Sequence, residues 1–235
     1  SGSKSRNATV GSHTIVQDND VLLSLKGFGS DGTNFEEAAQ IEMQVDGTPG
    51  NNVMPGRIVF KTTTTDGVAE RLRITSTGII DAPTQAGFYA RMQNNKNNVM
   101  GGGASYYTVL FDTDSGSICY DQHNTYSTST GLYTVPTGGD GHYMVSTAVC
   151  LSTDAYGRAG EAWFLVGSNR YFFDRKYFTS TSGTITGYYG TSIIKLTAGQ
   201  TVGVQAFVSG GSTDVDVLGA NATDQITWFT ARKIA

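Results

Sequence analysis

The side chains able to do chemistry in this chain are few and dispersed. The three histidines, His13, His123 and His142, lie far apart and lack the paired spacing of a zinc site. No G-x-S-x-G elbow supplies a nucleophile. Of the five glutamates, Glu36, Glu37, Glu42, Glu70 and Glu161, only Glu161 falls in the C-terminal half, where it could face an Asp across a sugar-cleaving cleft. Asp112-Thr113-Asp114-Ser115-Gly116-Ser117, with Asp121 nearby, opens like a calcium loop but lacks the later oxygen ligands and the closing Glu. Turn formation is the preferred role for these acids. Gly27-Phe28-Gly29-Ser30-Asp31-Gly32 fits G-x-G-x-x-G, yet Ile41–Val45 alternates like a strand and no strand-helix units follow, so it reads as a Gly-rich turn. The expectation is a protein that is not an enzyme and carries no metal and no cofactor.

Aromatic residues are the remaining signal. Tyr156 and Arg158 lie in a Gly-punctuated stretch, Tyr188 and Tyr189 sit between Gly187 and Gly190, and Tyr126 is set among Ser and Thr. A Tyr on flexible backbone offers a flat apolar face with a hydroxyl handle, which suits a sugar or a protein receptor. These five residues are the candidate receptor contacts. Phe111, Tyr133, Tyr143, Trp163, Phe164, Phe207, Trp228 and Phe229 are assigned to packing.

Thirty Gly, eleven Phe, twelve Tyr and only 15% charged residues describe a sheet-rich chain with many tight turns. Val21, Leu23 and Leu25, then Ile41, Met43 and Val45, then Ile58 and Phe60, then Leu72 and Ile74 alternate with polar neighbours, a period-two pattern that predicts strands. This N-terminal part holds too little apolar surface for a core of its own, and association with further copies would supply one. Pro83 breaks the ladder in the Ile79–Gly87 linker. Cys119 and Cys150 lack metal or redox spacing and are expected as free thiols in strand positions. A net charge of −4 without a basic run excludes a nucleic-acid partner. No apolar run nears the ~18 residues of a membrane span, so no membrane insertion is expected. Ser1-Gly2-Ser3 without Met reads as an expression remnant, which suggests a C-terminal piece of a longer protein.

Tyr106 to Val149 presents, in order, alternating apolar residues, Tyr120-Asp121, Thr130-Gly131-Leu132-Tyr133-Thr134-Val135-Pro136, a Gly cluster and a strand opening on Tyr143. That order resembles the globular head of the first complement component (the C-one-q-like domain), a relative of the tumour-necrosis-factor jelly roll. Ala86–Arg91 is similar to the opening strand of that family. Ile193–Val202 is similar to a late strand, with Gln200 at a usual Asp, and Ile226–Ile234 to the closing strand. The likeness runs from about Gly87 to Ala235. Pro55–Gly78, with Pro55-Gly56-Arg57-Ile58-Val59-Phe60 followed by Asp66-Gly67 and Glu70-Arg71-Leu72-Arg73-Ile74, resembles a module of bacteriophage tail fibres and tailspikes.

These resemblances imply an all-β chain. Residues 1–82 would form an intertwined trimeric β-rich shaft segment, and 83–235 a jelly-roll β-sandwich head. They imply a homotrimeric fibre tip on the virion, assembled in the host cytoplasm and attached to an upstream fibre or other virion protein. It would bind a bacterial surface glycan or protein receptor during adsorption. Alternatives are a structural virion decoration without receptor binding, a polysaccharide depolymerase fragment, and a secreted complement-like ligand.

Overall fold

The computed structural model describes residues 2–103, 106–116, 118–179, 186–219 and 226–235, and divides into two compact units, Ser1–Gln85 and Ala86–Ala235. Among the described residues every regular element in both is a strand, apart from one short 3-10 turn at Thr153–Ala155.

The N-terminal unit is a meander of β1 (Val21–Ser30), β2 (Phe35–Val45), β3 (Gly56–Thr64), β4 (Gly67–Ile74) and β5 (Ile80–Asp81). The expected strands are all present, and the supposed linker contributes β5 as well. Asp31 makes the β1–β2 turn: its Oδ1 accepts from the Thr33 and Asn34 N–H groups at 2.6 and 2.7 Å, and Gly32 has φ 97°. The G-x-G-x-x-G run, read as a turn, is mostly strand: Gly27–Ser30 end β1 and only Asp31-Gly32 enter the hairpin turn.

Strand register sorts the side chains of this sheet sharply. Leu25, Ile41, Phe60 and Leu72 pair in one row, and Leu23, Met43, Ile58, Ile74 and Ile80 in the next. Directly paired residues share a face, so nine apolar side chains coat one side. Polar rows, Lys26-Gln40-Lys61-Glu70 and Ser24-Glu42-Val59-Arg73, coat the other. On the apolar side Leu25, Ile41, Met43 and Ile80 are exposed, Ile80 to 70%, and Leu23, Ile58, Phe60, Leu72 and Ile74 are half-buried, whereas Gln40, Glu42 and Gln44 on the other side are buried. Among the described residues of this unit, the buried apolar side chains are Val16, Val45 and Val59. Burial works to raise Glu42, but the Lys61 ammonium at 2.7 Å and the Gln44 amide override it and hold the carboxyl below its ordinary range.

Asp20 ties the first residues to this sheet. It accepts from Arg6 Nε at 2.7 Å, Arg6 Nη2 at 2.8 Å, Lys4 Nζ at 3.1 Å and the Gln17 N–H at 2.9 Å. The Arg6 hydrogen bonds, then the Gln17 N–H, hold the carboxyl far below the usual carboxylate range. Because the folded-state pKa is depressed, its stabilisation is complete above the unfolded value of about 4 and is lost as pH falls below it. Amide exchange in residues 4–20, corrected for intrinsic rate, is expected to accelerate on acidification below about pH 4. Asp20→Asn should show that faster exchange already at neutral pH.

The C-terminal unit stacks two antiparallel sheets. Its strands are β6 (Gly87–Arg91), β7 (Lys96–Gly102), β8 (Tyr107–Thr108), β9 (Tyr120–Asp121), β10 (Tyr126–Ser127), β11 (Leu132–Thr134) and β12 (Gly141–Leu151). They continue as β13 (Ala159–Val166), β14 (Asn169–Tyr177), β15 (Thr186–Leu196), β16 (Thr201–Val208), β17 (Gly210–Val217) and β18 (Trp228–Lys233). One sheet centres on β6-β18-β12-β15, with β9, β7 and β17 added; the other is β10-β11-β16-β13-β14, with β8 beside β16. Strands far apart in sequence are neighbours in each sheet, the crossed connectivity of a jelly-roll sandwich. Alternate residues from both sheets meet between them: Phe88, Phe229, Tyr143, Val145 and Tyr188 from one, and Phe164, Val204, Ala206 and Tyr133 from the other. Phe88 is the hub, stacked on Tyr126 and Tyr133 with centroids 4.8 and 4.6 Å away, and edge-on to Phe229 at 4.9 Å.

Cys119 and Cys150 are free and buried. The Cys150 thiol donates to the Ile226 carbonyl at 2.9 Å, and burial pushes both thiols up in pKa.

Glycines in this unit mark close packing as often as turns. A Cβ on Gly160 would overlap Tyr188 Oη and the Phe207 carbonyl. Gly160→Ala is therefore expected to destabilise the head by about 1–3 kcal/mol, a melting-temperature fall of roughly 2–12 °C in calorimetry.

Candidate contact surface

The five candidate contact residues separate into three environments. Tyr126 and Tyr188 belong to the core, which corrects the expectation that they are exposed. Tyr126 donates its hydroxyl to the Phe111 carbonyl at 3.1 Å and Tyr188 to the Phe207 carbonyl at 2.6 Å, and burial pushes both phenols well above their usual pKa. A buried hydroxyl already paired has nothing to offer a ligand.

Arg158 is also corrected, to a structural strut. Its Nη1 and Nη2 reach Asp214 Oδ1 and Oδ2 at 2.6 and 2.9 Å, a two-pronged pair that ties the turn before β13 to β17. The Asp214 hydrogen bonds raise the guanidinium pKa, and the Arg158 hydrogen bonds lower that of the carboxylate. Gly101 and Gly211, at φ 94° and 67°, leave the space the guanidinium fills.

Tyr156 and Tyr189 are half exposed. Tyr156 caps the turn between β12 and β13. Tyr189 is adjacent to Tyr188 on β15 but points to the opposite side of the sheet, because strand side chains alternate. Its ring lies 4.8 Å from Lys176 Nζ, its N–H donates to Asp174 Oδ2 at 3.1 Å, and its hydroxyl is 3.7 Å from Cys150 Sγ. Burial and the Cys150 contact push its phenol up to about 12.

The Gly187-Tyr188-Tyr189-Gly190 stretch is thus strand, not loop. A Cβ on Gly187 would strike the Val149 carbonyl and one on Gly190 the Phe173 ring, so both glycines serve close packing. His142, one of the three dispersed histidines, lies in β12.

Two of the three acids in the calcium-like run, Asp112 and Asp121, have structural partners. Asp112 accepts from the Gln93 N–H at 2.7 Å, the Asn94 N–H at 3.2 Å, Asn94 Nδ2 at 3.1 Å and Lys96 Nζ at 3.3 Å. Asp121 Oδ2 accepts from the Tyr126 N–H at 2.7 Å. Among the described residues no group of three or more His, Cys, Asp or Glu gathers in metal-binding geometry, and Ser117 of that loop lies outside them. Among the described residues no helix is long and apolar enough to cross a membrane.

One exposed cluster lies outside the five candidates. On the outward side of the β8-β16-β13-β14 sheet, Trp163 is flanked by Tyr106 (centroids 5.0 Å apart, edge-on) and Phe172 (6.3 Å), and Phe207 lies 5.5 Å from Tyr106. The Arg170 guanidinium sits 3.8 Å over the Tyr106 ring and donates from Nε to Gln205 at 2.7 Å, while Gln205 Nε2 donates to Thr108 Oγ1 at 3.2 Å. Arg175 and Glu161 form an ion pair directly across β13 and β14. A register shift opposite Ala162 and Trp163 lets Phe173 turn inward onto Phe164 at 4.5 Å while Phe172 faces out. The alternation of Glu161, Trp163 and Leu165 with Ala162, Phe164 and Val166 was the readable signal for this face; the bulge carried none.

No protein-family model matches the sequence, and no curated protein matches it. Among solved structures, the globular domain of zebrafish complement 1qA protein matches with 13% identity, covering 64% of this chain and 98% of that one, at a TM-score of 0.41.

Proposed function

We propose that this chain is the distal part of a homotrimeric bacteriophage fibre, whose head binds a bacterial surface glycan or protein receptor during adsorption without catalysing a reaction. The observation that supports this reading is the apolar side of β1–β5, two cross-strand rows in which none of the nine side chains is fully buried. A sheet with one greasy side must bury it against another layer. Every copy shares the need, and closed rotational symmetry satisfies all copies at once. The head contrasts with this: it has a filled core of its own and half-exposed tyrosines at Tyr156 and Tyr189. Three linked heads turn weak single contacts into firm attachment when receptors repeat on a surface.

The test is retention of fluorescently labelled intact chain on a panel of bacteria. Saturable binding to a subset of strains, lost when their surface polysaccharide is stripped or their outer proteins are digested, is expected. Absence of binding across a broad panel, with the chain folded and trimeric, would favour a structural decoration. Release of reducing ends from capsule or lipopolysaccharide would contradict the non-catalytic reading.

A further inference from the structure

We propose that the outward side of β13, β14 and β16 is a glycan subsite, with Phe172 and Phe207 as stacking surfaces and the Glu161–Arg175 pair as the hydroxyl-recognising rim; this rests on the reading of the head as a receptor binder. Rings from three strands converge on one small area of that side. Phe172 is 56% exposed, while Trp163 opposite it on β13 is only 9% exposed. Trp163, edge-on to both Tyr106 and Phe172, therefore braces the outer rings, and a ligand meets surfaces already ordered by the strand ladder.

Beside the rings is a depression of about 390 Å³ lined by Gly160, Glu161, Arg175, Phe207 and Ser209 among others. It brings together an aromatic face, a carboxylate and a guanidinium. The carboxylate accepts hydrogen bonds and the guanidinium donates them. A sugar ring matches that set: its C–H face lies on a ring, and adjacent hydroxyls donate to Glu161 and accept from Arg175. The ion pair leaves the rim without excess negative charge, so neutral hexose-containing oligosaccharides are the ligand class. The apolar side of β1–β4 differs in kind, since its rows of apolar side chains, aliphatic but for Phe60, suit another protein layer.

The experiment titrates the intact chain with neutral oligosaccharides containing mannose, galactose, glucose or N-acetylhexosamine. Tryptophan fluorescence is the readout, because Trp163 and Trp228 are the two tryptophans. At least one sugar should change the emission saturably, and Trp163→Phe should remove the change. Phe172→Ala and Glu161→Gln should each weaken binding about tenfold or more, with melting temperature and sedimentation unchanged. Both residues are at the surface, so folding should survive either change. If a sugar binds but both variants bind it equally well, the subsite is wrong while the head remains a glycan binder; loss confined to Tyr156→Ala or Tyr189→Ala would move the site there. If no sugar binds the native chain at millimolar concentration, the subsite fails, and cell binding then decides whether the receptor is a protein. If Phe172→Ala dissociates the assembly, another copy occupies this face, which also overturns the proposal.

Discussion

Replacing Ile41 and Phe60 together by Asp is expected to dissociate the chain into subunits and to leave the head folded. The two residues are direct partners on β2 and β3, at the centre of the apolar rows. In an assembly sealed by this side, each copy would bury two carboxylates with no cation in those rows. Burying a charge without a partner costs several kcal/mol, and carboxylates directly opposite repel each other as well. Even about 2 kcal/mol for each carboxylate, summed over three copies, would weaken association by several orders of magnitude. Sedimentation should show the loss directly. Thr65→Asp, at the exposed β3–β4 turn, adds a charge away from those rows and should leave the mass unchanged. A double variant that sediments like the native chain would mean that the apolar side is covered by something other than its own copies.

The largest expected loss within the head comes from Phe88→Ala. Phe88 is fully buried and touches three rings, Tyr126 and Tyr133 by stacking and Phe229 edge-on, so it joins β6 to β10 and β11 across the sandwich and to β18 within its own sheet. Truncating a buried Phe typically costs about 3–5 kcal/mol, because the cavity adds to the lost transfer energy. The surrounding rings are themselves held: Tyr126 by its hydroxyl on Phe111, and Phe229 by the ladder pairing β18 with both β6 and β12. Collapse onto the gap is therefore limited, and the upper part of that range applies. The head's melting temperature should fall by roughly 6–20 °C. A fall below about 4 °C would show that the rings repack and that Phe88 is not the hub.

Period-two alternation exposed β1–β4 in the sequence, because each strand has one greasy and one polar side. It also implied that the N-terminal unit lacks a core. What could not be read was which side is covered. Glu42 and Gln44 are hydrogen-bonded to each other and to Lys61 and Arg57, and Gln40 accepts from Ser24, contacts that exist only once β1, β2 and β3 are in register. Glycine misled at Tyr188 and Tyr189. Flanking glycines were read as flexibility, when Gly187 and Gly190 are the gaps into which Val149 and Phe173 pack. Arg158 misled for the opposite reason: its partner Asp214 is far along the chain, and only the fold brings them together. The outward rings were missed because Tyr106, Trp163, Phe172 and Phe207 come from four separate segments. The single-residue bulge that turns Phe172 out and Phe173 in has no marker in composition or spacing.

The decisive measurement is sedimentation equilibrium of the intact chain at micromolar concentration. A self-associated shaft requires a well-folded species of three times the 25.0 kDa chain mass, with no folded single chain in exchange at that concentration. A stable, fully folded 25.0 kDa species whose apolar β1–β4 side stays open to solvent would contradict it.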